Sequence, residues 1–145
     1  MLCRVTRLLV SFTRASVSTR GESGRIEVFM MDRATFKPKA YLKEGCPYSF
    51  KYLLFMTEAG LLDQVDMVRC DPESAELDAV KQKLSEATGR EATFPTVEIA
   101  PKRYLSDSDK LIAHYARVCN VDWGTLPTLS FYTETLFPQL AASHE

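Results

Sequence analysis

From Pro38 onward the spacing of apolar positions switches repeatedly between the strand and helix periods. Residues 39–42, Lys39-Ala40-Tyr41-Leu42, are a short apolar run that reads as a strand. From Pro47 to about Ala59, Phe50, Leu53, Leu54 and the methyl of Thr57 recur at helical spacing. Pro47 suits a first helical position, where the missing N–H has no partner in any case, and Gly60 suits the C-terminal cap. Residues 65–70 alternate apolar and polar, as a half-buried strand does. Asp71 as N-cap and Pro72 behind it open a second helix, with Leu77, Val80, Leu84 and Ala87 as its stripe and Gly89 at its close. Residues 93–99 read as a third strand with Pro95 near its start, and Arg103-Tyr104-Leu105 as a fourth after the turn at Ala100-Pro101-Lys102. Ser106-Asp107-Ser108-Asp109 opens a third helix whose apolar face is Leu111, Ile112, Tyr115 and Cys119. Ser106 and Asp109 resemble a capping box with Asp in place of Glu.

The order is β-α-β-α-β-β-α, which predicts an α/β domain with a mixed four-stranded sheet covered by helices. The first βαβ unit is expected to cross over right-handed, making its two strands parallel. The domain spans residues 38–119, and residues 120–145 form a C-terminal extension. One extra helix is expected there from Thr128 to Leu140, interrupted at Pro138, with Trp123 packing for the tail. Ahead of the domain, Gly21-Glu22-Ser23-Gly24 reads as a hinge. The stretch Ile26–Met31 is apolar enough for an extra strand or for packing on the domain, and the pattern does not decide between them.

Composition narrows the picture. A chain of 145 residues, 46% apolar, suits one compact domain with an extension. Its 18 basic and 19 acidic residues give a net charge of −1, which gives no support to a nucleic-acid or strongly acidic partner. No apolar run reaches bilayer length, so no membrane-spanning helix is expected. Cys3, Cys46, Cys70 and Cys119 are scattered, with neither a disulfide framework nor zinc spacing. With only two histidines, a histidine-based metal site or triad is not expected. Residues 1–24 stand apart: Arg4, Arg7, Arg14 and Arg20 lie among serines and threonines, with no acid before Glu22. That is the composition of an organelle transit peptide, so the expected location is mitochondrial, and Cys3 would leave with the peptide. A secretory signal competes poorly, because Leu8-Leu9-Val10 is short and flanked by arginine; a disordered tail on a cytoplasmic protein is the other reading.

The chemistry concentrates at Glu44-Gly45-Cys46-Pro47-Tyr48-Ser49-Phe50. This run puts Cys46 at the N-terminus of the first helix, before free N–H groups and the positive end of the helix dipole. Such a setting favours the thiolate, the reactive form of cysteine. The competing reading is a buried structural cysteine. Cys70 on a strand and Cys119 on an apolar helix face read as core residues, and His114, beside Asp107 and Lys110, as a surface residue.

Three segments together resemble the glutaredoxins and the N-terminal domain of glutathione transferases, both of thioredoxin-like fold. Lys43 to Ser49 resembles the glutaredoxin active site, Thr93-Phe94-Pro95-Thr96 the cis-proline loop, and Leu105 to Asp109 with Leu111 to Tyr115 the transferase segment in which an acid–serine pair opens a helix. The resemblance covers about residues 38–118 and implies glutathione as co-substrate. It implies Cys46 as the nucleophile, with Pro47 and Ser49 completing the motif. It implies that Pro95 is cis, so that the Phe94 backbone pairs with the cysteinyl part of glutathione. By the same resemblance Ser108 and Asp109 bind the γ-glutamyl end, Lys43 meets the glycyl carboxylate, and Tyr48 forms a wall of the groove. Capping alone for Ser106 to Asp109, a solvated Lys43, a trans Pro95 and a merely packed Tyr48 are the plainer readings.

Two departures shape the function expected. Ser49 stands where dithiol glutaredoxins carry their second cysteine, so a redox cycle at Cys46 must pass through a mixed disulfide with glutathione. The glycine pair that glutaredoxins carry before the third helix is replaced by Ser106-Asp107-Ser108, which is more transferase-like, yet residues 120–145 are too few for a transferase's helical second domain. The leading expectation is a monothiol-like glutathione-dependent oxidoreductase acting on glutathionylated proteins, an expectation that burial of Cys46 or an unperturbed, high thiol pKa would sink. A binding module in which Cys46 and glutathione hold part of a [2Fe–2S] cluster across a dimer comes next, thiolates being what such a cluster requires. Glutathione transfer to small electrophiles, or an inactive interaction domain derived from a transferase, is third. The oligomeric state is not predicted.

Overall fold

The computed structural model describes residues 36–144. The targeting segment, hinge and Ile26–Met31 stretch expected ahead of the domain lie outside the described residues.

Strands β1 (Lys39–Lys43), β2 (Asp66–Cys70), β3 (Thr96–Ala100) and β4 (Arg103–Ser106) form one sheet in the order β2-β1-β3-β4. β1 and β2 are parallel, while β3 is antiparallel to both β1 and β4. The expected mixed four-stranded sheet and element order are what the chain adopts, a thioredoxin-like architecture. Helices α1 (Pro47–Glu58), α2 (Ala75–Thr88) and α3 (Ser108–Val118) cover it. Ala40, Leu42 and Val97 meet Tyr52, Phe55 and Met56 of α1 and Leu111, Ile112 and Tyr115 of α3 in one core. Tyr41, next to these on β1, points to the opposite face, where its hydroxyl accepts a hydrogen bond of 2.7 Å from Lys83 of α2.

The structure corrects three details of the helices. The buried side of α1 is Tyr52, Phe55 and Met56, not the stripe of Phe50, Leu53, Leu54 and Thr57; Phe50 is 49% exposed. Both sides of α1 are apolar, so periodicity alone selects the wrong one. Helix α2 starts at Ala75 with Ser74 as its cap, because the Asp71 carboxylate folds back onto the Glu73 N–H in a turn of its own. Its stripe is also narrower than expected: Leu77 and Leu84 are buried, Val80 is half-buried and Ala87 is exposed. Helix α3 is capped by Asp107, whose carboxylate accepts the Asp109 N–H at 2.9 Å, so the Ser106–Asp109 capping box does not form. Ser106 ends β4 and bonds the Thr96 hydroxyl at 2.7 Å.

The C-terminal extension forms α4 (Pro127–Phe131), a π-helical turn (Tyr132–Leu136) and α5 (Phe137–Ala142), which follow one another without a break. The interruption expected at Pro138 is this π-helical turn. Pro138 has no N–H to donate and its ring crowds the carbonyl of Glu134, so the wider turn accommodates it. Trp123 lies in a 3₁₀ turn, Trp123–Thr125, and is 53% exposed; Val121 and Leu126 pack on the core in its place. No helix among the described residues is long and apolar enough to cross a membrane.

This C-terminal helix runs antiparallel to α1 and covers its second apolar side. At the start, Glu58 at the end of α1 accepts the Thr128 and Leu129 N–H groups, each at 2.9 Å. Further along, Phe50 meets Tyr132 edge to face at 4.9 Å between ring centroids. The Tyr132 hydroxyl then donates to the Pro47 carbonyl in the first turn of α1 at 2.9 Å.

Truncating Phe55 to Ala is expected to lower the unfolding free energy by about 3–5 kcal/mol in denaturant titration, through lost burial and the cavity left behind. For Glu58, desolvation raises the pKa, but the hydrogen bonds from Thr128 and Leu129 outweigh it and hold the carboxyl below its ordinary value. Its stabilisation is therefore present above the ordinary carboxylate pKa and is lost as pH falls through the lowered value. Amide exchange at Thr128 and Leu129 is expected to quicken in that acid range relative to the core amides, and Glu58→Gln to remove the pH dependence. Equal behaviour of wild type and variant would contradict this.

Candidate active site

The loop after β1 sets the site. Gly45 has φ +72, a left-handed conformation that lets the chain turn sharply from β1 into α1. Cys46 follows as the N-cap of α1 in an extended conformation, and its carbonyl accepts the first helical hydrogen bond, from Phe50 N–H at 3.0 Å. Cys46 thus sits at the N-terminus of the helix, as the sequence predicts, but its side chain makes no capping bond to the helix. The Phe94–Pro95 peptide is cis, as expected, and brings the Phe94 carbonyl to 3.8 Å from the Cys46 sulfur.

Cys46 is buried, at 6% exposed, which counts against the expectation of an open, reactive thiol. Two cavities reach it. One is a polar cleft of about 700 Å³ that runs from Cys46 along Phe94 to Ser106–Lys110 at the start of α3. The other is an apolar cavity of about 680 Å³ walled by Leu42, Phe50 and Leu53 on the domain side and by Tyr132, Leu136 and Leu140 of the C-terminal helix. Lys43 and His144 border both.

Ser108, at the first position of α3, is 1% exposed, and its hydroxyl is buried with no partner. A buried hydroxyl without a partner costs about 1–3 kcal/mol unless something bonds it. This one borders the cleft, beside the positive end of the α3 dipole. Lys81, Arg90 and Lys110 add positive charge around the cleft, with Glu91 and Asp107 as acids among them.

The cleft brings Lys43, Cys46, Tyr48, Phe94, Ser108 and Asp109 together. Pro95 is buried directly behind Phe94. Pro47 and Ser49 line the apolar cavity instead. Ser49 is buried, and its hydroxyl accepts the Lys43 N–H at 3.1 Å, tying the end of β1 to the first turn of α1. Tyr48 is half-buried, with Phe137 edge to face at 5.1 Å and His144 at 6.5 Å between centroids.

Lys51 went unnoticed in the sequence. Its side chain is 5% exposed, and its ammonium bonds both carboxylate oxygens of Asp109, at 2.8 and 2.9 Å, while lying 4.1 Å from the Phe137 ring centre. A buried charge must be paired, and this pair holds the first turn of α3 against α1. The Asp109 carboxylate is thus already engaged, although 77% exposed. Tyr132 was missed as well. Its hydroxyl pKa is raised, first by burial and then by the nearby Cys46 charge. Neither residue belongs to a motif: a lysine among the apolar residues of α1 and a tyrosine in the tail become informative only when the C-terminal helix packs on α1.

Among the described residues no group of three or more His, Cys, Asp or Glu side chains could hold a metal ion, so the [2Fe–2S] expectation gains no support from a ligand cluster.

No family model matches the chain, and no curated protein matches it in sequence. Among solved structures it is similar to glutathione transferase Omega 3C from Trametes versicolor, at 14% identity and a TM-score of 0.46, over 65% of this chain and 38% of the transferase. It is also similar to a glutathione S-transferase from the Antarctic clam Laternula elliptica, at 18% identity and a TM-score of 0.45, over 63% and 37%. Glutaredoxin 2 from Chlamydomonas reinhardtii matches at 23% identity and a TM-score of 0.45, over 76% of this chain and 94% of the glutaredoxin. The chain thus spans less than two fifths of the length of either transferase.

Asp109→Asn is expected to destabilise the fold by about 1–3 kcal/mol, since it leaves the buried Lys51 ammonium without its charged acceptor. Lys51→Met is expected to cost less than Asp109→Asn, because it removes the buried charge together with the pair. Denaturant unfolding of the two single variants and the double variant checks the coupling, and additive effects would show that the pair contributes nothing.

Proposed function

We propose that this chain is a glutathione-dependent thiol–disulfide oxidoreductase that works through a mixed disulfide at Cys46. The observation that carries the reading is the polar cleft: a thiol at a helix N-terminus at one end, a buried hydroxyl without a partner at the other, and cations along the walls. Glutathione carries a thiol between two carboxylate ends, one of them beside an ammonium. The cleft offers a counterpart to each.

On this reading the γ-glutamyl carboxylate takes the Ser108 hydroxyl and the N-terminus of α3, where donors and dipole favour an anion. Asp107 and the exposed side of Asp109 receive the ammonium, and the Phe94 backbone lies along the cysteinyl part. Lys43 meets the glycyl carboxylate as a point charge. The Cys46 thiolate attacks the glutathione sulfur of a mixed disulfide GS–SR. A Cys46–SG bond forms, the GS–SR bond breaks, and RS⁻ leaves with the electron pair. A second glutathione thiolate then attacks the glutathione sulfur on Cys46, giving oxidised glutathione and restoring the Cys46 thiolate. The proton of the incoming glutathione ends on RSH, so the sum is RSSG + GSH → RSH + GSSG.

Incubating the full chain with oxidised glutathione is expected to add one glutathione, seen in the intact mass, that Cys46→Ser lacks and reduced glutathione removes. Absence of an adduct on Cys46 would refute the proposal. Ser108→Ala is expected to raise the KM for glutathione about tenfold, the loss of one hydrogen bond to a charged group, with kcat little changed. An unaltered KM would remove Ser108 from the binding site.

A further inference from the structure

An N-cap cysteine at the end of a strand–helix loop stands at the rim of its domain, yet this one is 6% exposed. The C-terminal helix packs beside that rim: Tyr132, Leu136 and Leu140 line one cavity together with Cys46, and His144 borders the other. It is tied to α1 by Glu58 at its start, by the buried bond from the Tyr132 hydroxyl to the carbonyl of Pro47, the residue next to the thiol, and by the packing of Phe137 on Tyr48 and Lys51. The spaces left beside the sulfur are cavities of about 680 and 700 Å³, which admit molecules of the size of a peptide fragment.

We propose that the C-terminal helix is a size filter over Cys46, latched by Tyr132. It restricts the disulfide partner to small mixed disulfides, such as that of glutathione and cysteine, and excludes glutathionylated proteins. The inference rests on the reading of Cys46 as a thiol that exchanges with glutathione, and it narrows the substrate class of that site. Tyr132 acts through position: its ring walls the apolar cavity, and its hydroxyl holds the helix to the first turn of α1. Losing that one hydrogen bond raises the population of the open state by about tenfold at most. The gain falls on large partners, because small ones already pass.

The test compares a small and a bulky thiol reagent on the full chain, iodoacetamide and a polyethylene-glycol maleimide, with Cys46→Ser subtracting the other thiols. Each rate is normalised to the same reagent's rate with free cysteine. In the wild type the normalised bulky rate is expected to fall at least about tenfold below the small one. Tyr132→Phe is expected to raise the bulky rate severalfold with little effect on the small one. Phe137→Ala acts in the same direction, as a second variant should one of them disturb folding. Turnover with reduced glutathione follows the same order: the mixed disulfide of glutathione and cysteine is a substrate of the wild type, and glutathionylated serum albumin becomes one only in the opened variants. Equal normalised rates in the wild type, or turnover of glutathionylated albumin at a rate comparable to the mixed disulfide of glutathione and cysteine, would overturn the filter. An unchanged ratio in both variants would overturn the latch. If iodoacetamide labels Cys46 but oxidised glutathione leaves no adduct, the oxidoreductase reading fails while the shielding stands, so the two failures are distinguishable.

Discussion

Helix α1 carries more apolar surface than one face of a sheet can cover, and much of the molecule follows from that excess. Tyr52, Phe55 and Met56 are buried against the sheet and α3. Phe50, Leu53 and Leu54 remain on the other side. Leaving three large side chains in water would forfeit several kilocalories per mole of burial, at about 25 cal/mol for each Å² of apolar surface. The C-terminal helix, short as it is, supplies the missing cover. Its own first N–H groups find their acceptor in Glu58 at the end of α1, so the helix that needs covering also caps the helix that covers it.

The same packing creates the electrostatics of the site. Lys51 lies between α1, α3 and the C-terminal helix, where water cannot solvate it, and only a charged partner makes that burial tolerable. Asp109 is that partner, and it stands one residue from Ser108, whose hydroxyl is left without one. The ion pair therefore fixes how the start of α3 stands toward the helix that carries Cys46. A cleft results whose two ends, thiol and helix N-terminus, sit on elements joined by this one ion pair.

Much of this was legible in the sequence, and what was not has a common cause. Element order and strand positions follow from local period and punctuation: Pro47 and Gly60 bound α1, Gly89 ends α2 at φ +69, and the strands fall within a few residues of expectation. Cys46, Phe94, Ser108 and Lys43 meet in one cleft because the topology brings the end of β1, the loop before β3 and the start of α3 together. The misreadings arise where a third element intervenes. Phe50 and Leu53 have helical spacing, but they face a cavity shared with the tail, which no pattern within α1 reveals. Lys51 reads as solvated until a helix covers it. The Asp71-Pro72 start of α2 failed locally, because an aspartate side chain can bond its own turn in preference to capping a helix.

The buried positions of the other cysteines determine what chemistry the thiol can support. Ser49 cannot resolve a disulfide, and its hydroxyl is committed to the Lys43 N–H. Cys70 is fully buried, with its thiol pKa raised by desolvation first and by Glu76 and Glu44 after it, so it is held in the unreactive form. Cys119 follows the last turn of α3 and packs against the core. Among the described residues no second thiol lines either cavity that reaches Cys46. A disulfide formed at Cys46 would therefore have to be opened by a thiol from solution, reaching it through one of those two cavities.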